Sequence, residues 1–366
     1  MTLSDPPAAF AAAAGWRRWT MAFLATGAAL VLLLLGYVAI LDPFGIRIGP
    51  GQRARPIMDI NQRFMYPQLV RSGAFDAAVF GTSTLRLLDP QALSGGIGGR
   101  FANLAMNAAT PWEQIEMVKL FQRQVPAPRF FIWGIDTFWC DADATDPSRR
   151  LTPRAFPPWL YDEASLTDIP RQLNLTTLEI ATRLLAHRLG LMPERIRGDG
   201  YEVFTPPEPF YDIARARAHI YASHGGTPAD TTPLPEPETV PAALRASWRF
   251  PALAWLERAL DGFAQGTRGI LVMPPIHAGQ YPRQGTASWQ RLSACKAEIA
   301  GLASRRGLVL ADYAFASPLT RPDENFWDAV HYRLPTARRI EADLAAIAAG
   351  RQPSDATTMV VSGRLR

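Results

Sequence analysis

Between Thr20 and Leu41 the chain reads TMAFLATGAALVLLLLGYVAIL, with no charged side chain. As a helix this run is roughly 33 Å long at ~1.5 Å per residue, close to the ~30 Å hydrocarbon thickness of a bilayer. A helix apolar on every face has no side to show water, which predicts a membrane span over 20–41. A cleaved signal peptide would carry an apolar stretch of about 7–15 residues and then a small-x-small site. This run is longer and LDPFG comes after it, so the expectation is an uncleaved anchor. Arg17 and Arg18 precede the span, while Arg47, Arg53 and Arg55 lie beyond it. The Ala-rich segment 1–19 has little to fold around, so a cytoplasmic tail and an external body make the simpler topology. The expected location is a single pass of the inner membrane with the body on the periplasmic side.

The body beyond the span is long enough to bury a sizeable core. The chain has 38 Lys+Arg against 33 Asp+Glu, a formal net charge of +5. The positive charge is nearly all arginine and is scattered, with Lys119 and Lys296 as the lysines. No basic run resembles a nucleic-acid patch, so no nucleic-acid partner is expected. Neither HExxH nor CxxC occurs, so no metal and no cofactor are expected. Cys295 falls in line with Leu292, Ile299 and Leu302 on a helical stripe, as a buried thiol would, and Cys140 comes after a predicted strand. The expectation is that the two stay unpaired.

Residues 42–75 read as a connector, rich in Gly, Pro and Arg up to Pro56. Strands and helices then alternate over 76–350. Ala77–Phe80, Phe101–Leu104, Arg129–Asp136, Gly269–Met273 and Gly307–Tyr313 read as short buried strands. Thr110-Pro111-Trp112-Glu113 is a capping box opening a helix to about Arg123. Further helices are expected over Pro251–Leu260, Ala287–Arg306 and Pro335–Ala349. Such alternation implies a mostly parallel sheet covered by helices on both faces, an α/β fold that binds ligands at the carboxyl ends of its strands. About 141–249 interrupts it with one expected helix, Thr176–Arg188, and a Pro-rich polar stretch. This insertion is suited to a lid or partner surface. The glycines of LSGGIGGR precede a strand and read as a turn, and 351–366 reads as a disordered tail.

Three segments at strand ends carry chemistry. In FGTSTLRLLDP, Ser83 sits on a tight turn from strand to helix, where a hydroxyl is exposed and nearby negative charge is favoured. Ser83 also has the place of an ordinary N-cap. In FWDAVHYRLP, Asp328 and His331 are three residues apart, a spacing that lets a carboxylate orient an imidazole facing the same serine. In FANLAMNAATPWEQ, Asn107 and the Ala108 N–H could donate to a tetrahedral oxyanion. Arg86, close behind Ser83, joins them as a candidate for oxyanion or substrate binding. His277, after a strand, is a candidate substrate contact, and His219 and His224 read as surface residues.

Together these segments resemble the SGNH/GDSL hydrolase-like superfamily from about Asp76 to Ala349, outside the insertion. Ser83 matches the family's nucleophilic serine, and Asp328 with His331 match its C-terminal Asp-x-x-His block, in the same order along the chain. Thr82 stands where the family has aspartate, Ala108 where it has an oxyanion glycine, and Asp136 where its Gly-x-Asn-Asp block has asparagine. An aspartate donates a hydrogen bond only when protonated. The resemblance implies a flavodoxin-like SGNH-type fold and a Ser83–His331–Asp328 triad. With an N-terminal span it is closest to the D-alanyl-transfer proteins of teichoic acid modification, and similar in role to the alginate O-acetylation proteins. It implies an O-acyltransferase or esterase acting on an envelope polysaccharide or glycolipid, with a multi-span membrane acyltransferase as partner. The alternative is a non-catalytic scaffolding or binding component that keeps the fold.

Overall fold

The computed structural model describes residues 8–163, 167–353 and 359–361. Six strands, β1 (Ala77–Phe80), β2 (Phe101–Asn103), β3 (Phe130–Gly134), β4 (Arg268–Met273), β5 (Val309–Asp312) and β6 (Met359–Val361), make one sheet. Their order is β2-β1-β3-β4-β5-β6. The first five are parallel, and β6 runs antiparallel to β5. The helices used below are α1 (Ala8–Leu41), α2 (Pro90–Ile97), α3 (Pro111–Gln124), α4 (Leu175–Arg188), α5 (Ile213–Ile220), α6 (Ala252–Asp261), α7 (Ala287–Arg305) and α8 (Leu334–Ala348).

The strands are apolar at nearly every position because both sheet faces are covered. Val79, Phe130, Ile132, Ile270 and Val309 face a core closed by Leu93 of α2 and by Ile340 and Leu344 of α8. Phe80, Phe131, Trp133, Leu271 and Leu310 face the other, closed by α3, α6 and α7 through Phe121, Leu256 and Ile299. Five strands and helices α3, α4, α6, α7 and α8 thus lie within a few residues of where periodicity puts them. The capping box forms as expected, Thr110 accepting from the Glu113 N–H while Glu113 accepts from the Thr110 N–H.

Other expectations change. α1 begins at Ala8 rather than Thr20, because an alanine-rich lead favours helix. The segment expected as a connector is core: Phe44, Ile57, Met58, Met65, Tyr66 and Leu69 are buried. The glycines expected in a turn, Gly95 and Gly96, belong to α2. A Cβ on Gly96 would meet the Ala345 Cβ at 2.9 Å, so the glycine lets α2 approach α8 closely. The insertion holds α5 and short helices Asp168–Arg171 and Ala242–Ser247 besides α4. In the expected tail, Met359–Val361 forms β6, satisfying the exposed edge of β5; 354–358 and 362–366 lie outside the described residues.

The cysteines, expected free, form a disulfide with their Cα atoms 5.8 Å apart. Cys140 ends the turn after β3 and Cys295 is on the buried stripe of α7. The stripe lies where the helical spacing puts it, but the partner across it is set by tertiary packing. Bridging positions 155 residues apart restricts the unfolded chain over a long loop. Replacing both cysteines by serine is expected to lower the unfolding free energy by about 2–4 kcal/mol. Unchanged denaturant midpoints in the double variant would contradict this.

Candidate active site

A crevice forms in such a sheet where the strand order reverses, here between β1 and β3. The loops after these two strands supply Ser83 and Asp136. Gly81 ends β1 at φ +145°, and a Cβ there would lie 3.3 Å from the Gly134 Cα, so glycine lets the two loops approach. The chain then turns at once into a single 3-10 turn, Ser83–Leu85, instead of the expected longer helix.

The structure brings Ser83, His331 and Asp328 together. Ser83 Oγ is 2.8 Å from His331 Nε2, and His331 Nδ1 is 2.8 Å from Asp328 Oδ2. A carboxylate only accepts, so Nδ1 carries the proton and Nε2 is left to accept from the serine. Asp328 Oδ1 accepts from the N–H groups of Val330 and His331, each at 2.8 Å. Burial pushes the Asp328 carboxyl up, but His331 and these two N–H groups outweigh it and hold the acid below its ordinary range. The Asp-x-x-His loop is closed on itself by a Phe326–Tyr332 bridge and by the Trp327 N–H on the His331 carbonyl, 2.8 Å.

Asn107 and Ala108 come after the end of β2. Ala108 takes φ +51°, a left-handed conformation that explains why glycine suits this place. The N–H groups of Ser83 and Ala108 have no hydrogen-bond partner among the described residues. The Arg86 Nη1 lies 2.5 Å from the Asn107 Oδ1. A guanidinium has no acceptor, so the amide oxygen must face it and the NH₂ group is turned away, available as a donor. Arg86 is buried, pairs with Glu202 and stacks 4.8 Å from the Phe204 ring centroid. Phe204 in turn meets His331 edge to face, at 5.2 Å. Arg86 therefore sits behind the site and positions Asn107.

Glu202, Phe204 and the Asn107 cradle carry no sequence signal. Glu202 and Phe204 belong to the insertion, which also holds the histidine loop through Glu208 on Arg333 and Tyr211 on Trp327. The cradle comes from the segment expected as a connector: Gln62 Oε1 accepts from the Asn107 N–H and Arg63 donates to its carbonyl at 3.1 Å.

His277 is not brought to the site as a substrate contact. Its imidazole is buried, Nδ1 accepts from the Gly279 N–H at 3.2 Å, and Nε2 therefore donates to Asp323 at 3.1 Å. Burial lowers its pKa against the pull of Asp323. Its backbone N–H holds the Ala329 carbonyl, so it braces the loop from behind. His219 and His224 are exposed, as expected.

Asp136 lies beside Thr82. Burial pushes its carboxyl up to about 7, against the opposing pull of the Thr82 hydroxyl and the Phe138 N–H. Its Oδ2 is sealed from solvent and unpartnered. Near neutral pH much of it is protonated and able to donate. A carboxyl that holds its proton more tightly in the folded chain than in the unfolded one makes stability fall as pH rises from about 4 to about 7. Asp136→Asn is expected to remove that fall; an unchanged dependence of melting temperature on pH would contradict this.

No protein-family model matches the chain, and no curated protein matches it significantly. Its architecture is an α/β sheet with one N-terminal helix, Gly15–Leu41, long and apolar enough to cross a membrane, with mean hydropathy 2.4.

Proposed function

We propose that this protein is a membrane-anchored, extracytoplasmic acyl-ester enzyme of the SGNH/GDSL-like kind, acting on a cell-envelope polysaccharide or glycolipid. The observation that carries the reading is the continuous Ser83–His331–Asp328 hydrogen-bond chain. Ser83 Oγ attacks the acyl carbonyl as its proton passes to His331 Nε2. The intermediate collapses, and the leaving oxygen takes that proton. The acyl-Ser83 ester is then attacked by an acceptor hydroxyl or by water, whose proton passes to His331 and back to Ser83. Asn107 and the N–H groups of Ser83 and Ala108 would hold the oxyanion, with Arg86 positioning the amide.

The apolar helix supports anchoring, and the Cys140–Cys295 bridge supports an oxidising compartment, since disulfides persist outside the cytoplasm. A multi-span membrane acyltransferase is the partner that would supply acyl groups. Incubating the full chain with a short activated acyl ester and mapping peptides by mass spectrometry should find one acyl group on the Ser83 peptide. One observation favours a second reading, a non-catalytic scaffold: Asp136 holds a carboxyl where an amide donor is expected. That reading predicts no adduct at any donor concentration.

A further inference from the structure

α1 does not leave the body on a free linker. Its side chains are exposed from Trp16 to Leu34 and begin to pack at Leu35, with Val38 and Leu41 buried. The exposed run is about 28 Å long as helix, the thickness of bilayer hydrocarbon. Trp16 and Trp19, beside Arg17 and Arg18, mark its N-terminal end, away from the body, as interfacial anchors do.

α4 lies against the packed end. Tyr37 Oη meets Thr182 Oγ1 at 3.2 Å, and Arg188 donates to the Leu41 carbonyl at 3.2 Å. Both contacts advance in the same sense, so the helices run side by side in one direction. Leu175, seven residues before Thr182, is therefore about 10 Å further back toward the exposed part of α1. It is level with roughly Ala28 to Leu30 of α1, within the apolar run. Leu175 is 84% exposed, and Leu173 and Ile169 before it are exposed as well. Asn174 caps α4 by accepting from the Thr177 N–H, and its amide donates to the Arg171 carbonyl. Exposed leucine and isoleucine side chains with the exposed Arg171 among them suit the interfacial layer, where apolar groups sink and a cation reaches the headgroups.

We propose that the turn Ile169–Leu175 is a second membrane contact, its apolar side chains set into the interfacial layer of the bilayer beside α1. This rests on the reading that α1 crosses that bilayer, and the two contacts together fix the orientation of the body. The docked element is also close to the candidate site. Arg183 of α4 bonds Asp59 at 2.9 Å, and at most about 14 Å of extended chain separates Asp59 from the Arg63 that holds Asn107.

The test uses the full chain in lipid nanodiscs. Cys140 and Cys295 are paired, so an added cysteine takes an environment-sensitive fluorophore alone. Three single variants are labelled: Leu175→Cys, Val31→Cys, and Ser304→Cys at the exposed end of α7. At the ~5–10 Å depth of an interfacial side chain, a nitroxide near the lipid headgroup should remove about half of the Leu175→Cys emission. Ser304→Cys should keep its emission. Quenching of Val31→Cys by an acyl-chain nitroxide with none at Leu175→Cys would overturn the docking and leave the anchor standing. No quenching at Val31→Cys would overturn the span and the docking with it.

Discussion

Asp328→Asn is expected to lower kcat on an activated ester by about 10⁴-fold, with KM and thermal stability little changed. The reason lies in how the carboxylate is held. Its Oδ1 accepts from two backbone N–H groups, so in the variant the amide oxygen must stay there. The NH₂ group then faces His331 Nδ1, and the ring must present a lone pair at that nitrogen. Its proton moves to Nε2, against the Ser83 hydroxyl, and the imidazole can no longer take the serine proton. The serine, the oxyanion donors and the fold are untouched, so the loss falls on kcat. A loss of less than tenfold would mean that Asp328 does not set the tautomer.

Glu113→Ala is expected to cost about 3–5 kcal/mol, because it leaves the Arg63 guanidinium buried without its counter-charge. Both side chains are fully buried, joined by Nε–Oε1 at 2.9 Å and Nη2–Oε2 at 2.5 Å. The same carboxylate accepts from the Thr110 N–H, so α3 also loses half of its capping box. The melting temperature should fall by on the order of 10 °C. The double variant Arg63→Met/Glu113→Leu, with no buried charge, should recover most of the stability. It should not recover activity, since Arg63 also holds the Asn107 carbonyl. Equal melting temperatures for the single and double variants would contradict the buried-charge account.

How much of the molecule is legible in its sequence depends on the range over which each signal acts. A strand such as Phe130–Gly134 and a capped helix such as Pro111–Gln124 are written in neighbouring residues, and both form where those residues put them. Asp328 and His331 are legible for the same reason, their spacing being local. Glu202 and Phe204 reach Arg86 and His331 from more than 110 residues away in a Pro-rich stretch, and no periodicity marks them. Arg63 is hidden because its surroundings, short and rich in Gly, Pro and Arg, look like a linker until Phe44, Tyr66 and Leu69 are seen buried. Cys295 shows its buried face in the helical spacing, yet only packing brings Cys140 opposite. His277 shows the converse: its place after β4 suggests the site, while Asp323, 46 residues on, draws its ring into the interior.

In the proposed mechanism Ser83 is a nucleophile activated by His331. A fluorophosphonate probe reports this directly, because it reacts with a serine hydroxyl only where a base removes the proton and an oxyanion site receives the charge. The full chain should label, with the adduct mapped to the peptide containing Ser83, and Ser83→Ala should fail to label while melting at the same temperature. Equal labelling of Ser83→Ala and the native chain, or no labelling of the folded native chain, would contradict it.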